Sequence, residues 1–209
     1  MMRHAFVMGF AFAGFQMMSA CSSTTSSEMA KFAEPAPIIA SVIKDRIEQI
    51  PFQHREELLE NMLWLKAKGE LAIPSLIRAL DHKDPKVRSS AAWVLGMIGD
   101  KRAIPYLRKH SGETHPVTRL EIARSLLSLG DYSMVPTLIA GLEDEHTHIR
   151  FLCIEALRQA TGKRFGYDHL TKDESLRKSG AEKWKAWWAS KSKDPFFGAS
   201  AVPAAPGGR

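Results

Sequence analysis

The fold that this sequence predicts is all-α, a solenoid of stacked helical hairpins closed by a tryptophan-rich C-terminal helix. Three observations predict it. Ala72-Ile73-Pro74, Ala103-Ile104-Pro105 and Met134-Val135-Pro136 open three copies of one unit, 31 residues apart and without insertion. Within the copies the same positions recur in step: Leu76, Leu107 and Leu138; Arg88, Arg119 and Arg150; Leu95, Leu126 and Leu157. Apolar residues inside each copy fall at helical spacing, as in Val87, Ala91, Val94, Leu95 and Ile98. Self-similarity at such a step marks units that bury their apolar faces by stacking on one another.

In chain order, residues 1–4 give a short positive segment through Arg3 and His4, and residues 5–18 are almost wholly apolar or glycine. That length suits a signal-peptide core better than a membrane span. Ser19-Ala20-Cys21 follows and resembles the lipobox of bacterial lipoproteins, with Met18 where that family more often has Leu. The resemblance implies a signal peptide over residues 1–20 and lipid attachment at Cys21; ordinary cleavage and an uncleaved anchor are the alternatives. Residues 21–37, rich in Ser, Thr and Pro, lack a packing pattern and read as a flexible tether. Ser22 after the cysteine resembles the enterobacterial signal for passage to the outer membrane. Three acyl chains exceed the two signals that stable anchoring takes. The expectation is a domain held by lipid in the bacterial cell envelope, on the periplasmic face of the outer membrane.

Residues 38–71 give two helical patterns, broken at Pro51 and ended by Gly69, and read as a divergent repeat that shields the first regular copy. The regular copies are 72–102, 103–133 and 134–164. Each predicts a first helix with proline in its opening turn and a second helix announced by Asp84-Pro85, His115-Pro116 or His146-Thr147. Gly99-Asp100 and Gly130-Asp131 turn the chain into the next copy, and Gly162 comes one place late. The run Ala-Ile-Pro-x-Leu-Ile-x-Ala-Leu, Asp-Pro-x-Val-Arg and Ala-Ala-x-x-Leu-Gly-x-Ile-Gly-Asp, read from residues 72–100, resembles the short HEAT repeat of the phycobilisome-lyase-like class. The resemblance covers residues 38–164. It implies an arginine ladder in which Arg119 and Arg150 meet Glu113 and Asp144, six residues earlier, whereas Arg88 has His82 there. These arginines read as scaffold.

Residues 165–195 read as a cap. Trp184, Trp187 and Trp188 share one helix face over residues 181–191, and the stripe resembles a C-terminal extension that follows HEAT arrays in bacterial proteins. It either seals the open end of the array or docks another protein; the seal is the expectation. Residues 196–209, rich in Ala, Pro and Gly, read as a disordered tail.

The formal net charge is +6, yet residues 22–162 carry eighteen basic and eighteen acidic side chains, with the excess beyond them. A nucleic-acid groove needs its cations on the array, so nucleic acid is not expected as a partner. Of the two cysteines, Cys153 fills the slot of Ala91 and Ile122 and reads as a small core residue, which leaves no disulfide framework. His82, His115, His146 and His148 fall in the turns between paired helices. Neighbouring turns sit about 10 Å apart, whereas zinc takes nitrogen ligands at about 2.1 Å, so solvated histidines rather than a metal site are expected. No phosphate-binding loop, nucleophile elbow or metal-spaced cysteine set occurs, so no catalytic residue, cofactor or small-molecule substrate is predicted.

The step of 31 stacks residues of the second helices into rows. One row is Trp93, Arg124 and Glu155; a flanking row is Ser90, Glu121 and Leu152. Trp93, Arg124, Glu155 and Glu121 are the candidate partner-binding residues, because Trp beside Arg is the composition of interface hot spots. The other reading of Trp93 has it leaning onto a neighbouring helix. The expected function is a membrane-tethered, non-enzymatic scaffold or adaptor with a protein partner. A bilin-lyase-like enzyme subunit is the alternative, opposed by the export signal; a nucleic-acid-binding HEAT protein is a third.

Overall fold

In a computed structural model, residues 32–194 are described. The expected signal peptide, Cys21, most of the expected tether and the expected tail lie outside the described residues. Among these residues the chain forms nine α-helices joined by short 3₁₀ turns, and no strand. They are α1 (Pro37–Gln49), α2 (Arg55–Ala67), α3 (Ile73–Ala79), α4 (Pro85–Ile98), α5 (Ile104–Lys109), α6 (Pro116–Ser128), α7 (Val135–Ala140), α8 (Thr147–Thr161) and α9 (Glu174–Lys191). The architecture is an all-α solenoid of three regular hairpins, with a divergent pair before them and a capping helix after.

The step of 31 holds at both helix starts of each copy. Proline stands in the first turn of α3, α5 and α7, where a missing N–H leaves nothing unsatisfied. The Asp84 carboxylate accepts the Lys86 N–H at 2.8 Å and so caps α4. His115 Nδ1 does the same for α6, accepting from the Thr118 N–H at 3.4 Å. Gly99 and Gly162, with φ of 81° and 68°, adopt the left-handed turn that stops α4 and α8. Leu76, Leu107, Leu138, Leu95, Leu126 and Leu157 are all buried, so the recurring leucines are the core.

The divergent pair covers the first copy with one face and leaves another open. Ile43, Ile47, Ile50, Met62 and Leu65 are buried, and Lys86 Nζ reaches back to the carbonyls of Pro51 and Gln53. Ile38, Val42, Leu59 and Leu63 belong to the same helical patterns yet remain exposed. The segment before α1 is also not all tether. Phe32 is only 4% exposed; its ring lies 6.1 Å from that of Tyr106, with the Arg102 guanidinium 4.9 Å above it. The Ala33 N–H donates to Glu70 at 3.2 Å, which fastens this strip to the turn before α3.

At the other end, α9 starts at Glu174 rather than at residue 181, because the Asp173 carboxylate caps it through the N–H groups of Ser175 and Leu176. The helix packs on α7 and on the turn Gly141–Glu143. Trp184 is fully buried, edge-on to Phe165 at 4.8 Å, whereas Trp187 and Trp188 are half-buried. The loop before α9 closes over α8: Tyr167 OH donates to the Leu142 carbonyl, and Arg150 Nε donates to that of His169 at 3.0 Å. Gly180 lies against the Tyr167 ring, where a Cβ would approach to 2.6 Å. The end seal is therefore shared between this loop and the Trp184 turn of α9.

Candidate partner-binding groove

The second helices α4, α6 and α8 stand side by side, with α4 and α6 in the most extensive contact of any helix pair. Small residues permit this approach. At Gly96 an added Cβ would fall 2.8 Å from Ser125 Oγ and 3.0 Å from Ser125 Cα. Where the C-terminal halves of these helices meet the turn after α6, a groove of about 450 Å³ opens. Trp93 and Met97 of α4, Arg124 and Ser128 of α6, Gln159 of α8 and Tyr132 of the turn line it, over a floor that includes Gly96, Ala156 and Ala160.

The structure brings two of the four expected partner-binding residues into this groove, Trp93 and Arg124, both half-buried. Glu121 lies one turn back on α6. Its carboxylate accepts both bonds from Arg124 Nη1, at 2.8 and 3.0 Å, and its side chain is 13% exposed. Burial raises its pKa, against the pull of Arg124. Glu155 does not line the groove. It pairs with Arg158 at 3.0 Å, and Arg158 in turn donates to the Tyr167 carbonyl, so the third place of the row is spent on holding the end cap. Ser90 and Leu152 of the flanking row are buried between helices, because that row faces the neighbouring helix.

The groove thus sits one turn further along the helices than the Trp93 row alone indicates. Met97, Ser128 and Gln159 are themselves spaced by 31, four residues beyond Trp93, Arg124 and Glu155, and all three line it. The repeat step encodes this row as plainly as the first, but Met, Ser and Gln carry no charge or large aromatic ring to mark it as a binding row. Tyr132 carried no repeat signal, since its counterpart in the preceding turn is Lys101.

The other singled-out residues resolve into structure. Arg88 meets the Glu113 carboxylate of the next copy through two bonds, at 2.7 and 3.0 Å, and also donates to the carbonyls of His82 and Lys83. Arg150 bonds the carbonyls of Asp144 and Glu145 rather than the Asp144 carboxylate, and Arg119 is exposed. Arg88 and Arg150 tie turns and seams, and the three arginines do not form a ladder within copies. His82 Nδ1 accepts the Asp84 N–H at 3.0 Å, His115 caps α6, and His146 Nδ1 lies 3.0 Å from Asp144. Among the described residues, no three His, Cys, Asp or Glu side chains converge to hold a metal ion. Burial pushes the Cys153 thiol up to about 12, which keeps it protonated and unreactive. Cys21 lies outside the described residues.

Residues 53–126 match the HEAT repeats family. The chain is 33% identical over 112 residues to the phycocyanobilin lyase subunit alpha of Picosynechococcus sp., covering 46% of this chain and 42% of that protein. It is 24% identical over 154 residues to deoxyhypusine hydroxylase-B of Oryza sativa subsp. japonica, covering 71% of this chain and 51% of that one. The chain spans about half the length of these curated relatives. Residues 53–126 thus carry HEAT repeats, and the described residues form an all-α solenoid.

Proposed function

We propose that this HEAT-repeat chain is a non-enzymatic scaffold that binds a partner protein in the groove between its second helices and is held by lipid at Cys21 to a bacterial envelope membrane. The observation that carries the reading is the groove itself. Trp93 and Arg124, the residue pair most typical of interface anchors, share a depression on a rigid array, and their side chains are half-buried rather than packed away. Its lining holds no His, Asp, Glu, Lys or Cys that could act as general base toward the hydroxyls of Ser125, Ser128 and Tyr132. The anchor rests on the sequence, where Ser19-Ala20-Cys21 follows a short apolar run.

The test is partner capture from detergent-solubilised membranes with the Trp93→Ala, Glu121→Gln, Arg124→Gln triple variant, which leaves no buried charge unpaired, once its circular dichroism spectrum shows it folded. Loss of the captured protein is expected; capture at the wild-type level would remove this groove as the site. The anchor is tested separately by fatty-acid labelling, which Cys21→Ser should abolish. A second reading, a bilin-lyase-like enzyme subunit, follows from the similarity to the phycocyanobilin lyase subunit alpha of Picosynechococcus sp.. Co-expression with a bilin source and a visible absorption spectrum of the purified chain separate the two readings, since a scaffold carries no chromophore.

A further inference from the structure

We infer that the groove reads a carboxylate, its occupant being an acidic segment of the partner protein in which Asp or Glu neighbours an apolar or aromatic residue. The inference rests on the groove being the partner site and narrows what it takes. Arg124 is the one charged residue among those lining the groove. Only its Nη1 is engaged, by the two oxygens of Glu121; Nε and Nη2 make no hydrogen bond among the described residues. Glu121 lies a turn back, outside the lining, so the ion pair presents its cationic end to the groove. Among the described residues the Trp93 indole N–H and the Gln159 amide likewise make no hydrogen bond, which adds donors to the groove beside the guanidinium. Met97, Leu127, Ala156 and Ala160 supply the apolar part.

An arginine held on one edge and open on the other is a preorganised carboxylate receptor, since a charge-assisted pair of N–H···O bonds is stronger than a neutral one. The last-turn carbonyls of α4 and α6 oppose an anion. That opposition is confined to the end of each helix and is weaker than a direct bond to the guanidinium. A cationic segment would face Arg124 with no acid in the lining to receive it. A volume of about 450 Å³ has room for a carboxylate side chain and an adjoining ring.

The probes are two capped peptides, Ac-Ala-Leu-Asp-Phe-Ala-NH2 and its Asn twin, titrated into the full chain while the Trp93 indole N–H resonance is followed. The Asp peptide is expected to shift that resonance and to bind about tenfold more tightly than the Asn peptide, the gap narrowing with salt. Arg124→Gln alone leaves Glu121 buried without its partner, so the decisive variant is Glu121→Gln with Arg124→Gln, which removes both charges. In that variant the gap should close. Glu121→Gln alone should widen it by freeing Arg124 entirely. Equal binding of the two peptides, or an Asp preference that survives in the double variant, overturns the carboxylate assignment. If Trp93 still responds to both peptides equally, the groove stands and only the ligand class falls; silence at Trp93 with both peptides counts against the groove as well.

Discussion

A methyl group added at Gly96 would press on Ser125 Oγ at 2.8 Å and on Ser125 Cα at 3.0 Å. A hydroxyl could rotate away, but the backbone of α6 could not. Alanine gains about 1 kcal/mol over glycine in helix propensity. Overpacking costs about 1–3 kcal/mol, so the clash wins. Gly96→Ala should lower the melting temperature and splay α4 from α6 at the groove; an unchanged or raised melt would show that the seam is looser than described. Glu113 acts across the neighbouring position of the same seam. The hydrogen bonds from Arg88 hold its carboxyl at about 2, below its ordinary 4.5. Its contribution is therefore present above pH 4.5 and is lost as the pH falls through about 2, because the unfolded chain takes up that proton first. Between these values wild-type stability should fall more steeply than that of Glu113→Gln. Equal slopes in acid titrations followed by circular dichroism would remove the pair from the pH dependence.

At the scale of helices, the recurring triplets with step 31 located every first and second helix, because proline, cap and leucine positions are local signals. Signals that cross a seam were not legible. Arg88 finds its acid 25 residues ahead in the next copy, where a search within its own copy meets only His82. Glu155 looked like a third member of the Trp93 row, and only the loop carrying Tyr167 shows why it turns to Arg158 instead. Phe32 sat within a stretch whose composition reads as tether, and its burial depends on Tyr106 and Arg102, some seventy residues on. The tryptophan stripe was legible as a face but not in its division of labour. Trp184 is buried and Trp188 half-buried, so truncation should separate them. Trp184→Ala should cost about 3–5 kcal/mol, as expected for a fully buried large side chain. Trp188→Ala should cost clearly less, and chemical denaturation of the two variants gives the comparison. Equal losses would mean that both rings seal the array.

Across the whole molecule, the large exposed apolar side chains gather at the two ends of the described array. Ile38, Val42, Phe52, Leu59 and Leu63 lie before the first regular copy, and Phe151, Leu170 and Leu176 lie in its last helix or beyond. The middle copies expose none of this kind among the described residues, and the groove at Trp93 and Arg124 opens on them. A solenoid suits this arrangement, since each copy contacts chiefly its neighbours and the rows between second helices stay in register.

The most direct test of partner binding in the groove is site-specific photocrosslinking in cells. A photoreactive residue is placed at Met97 or Ser128 inside the groove, or at Lys109 at the end of α5 outside it. A partner seated between the second helices gives the same crosslinked product from positions 97 and 128, none from position 109, and less when Glu121→Gln and Arg124→Gln are added together. Products that form equally from position 109, or that fail to form from both groove positions while the chain is folded, would contradict the assignment.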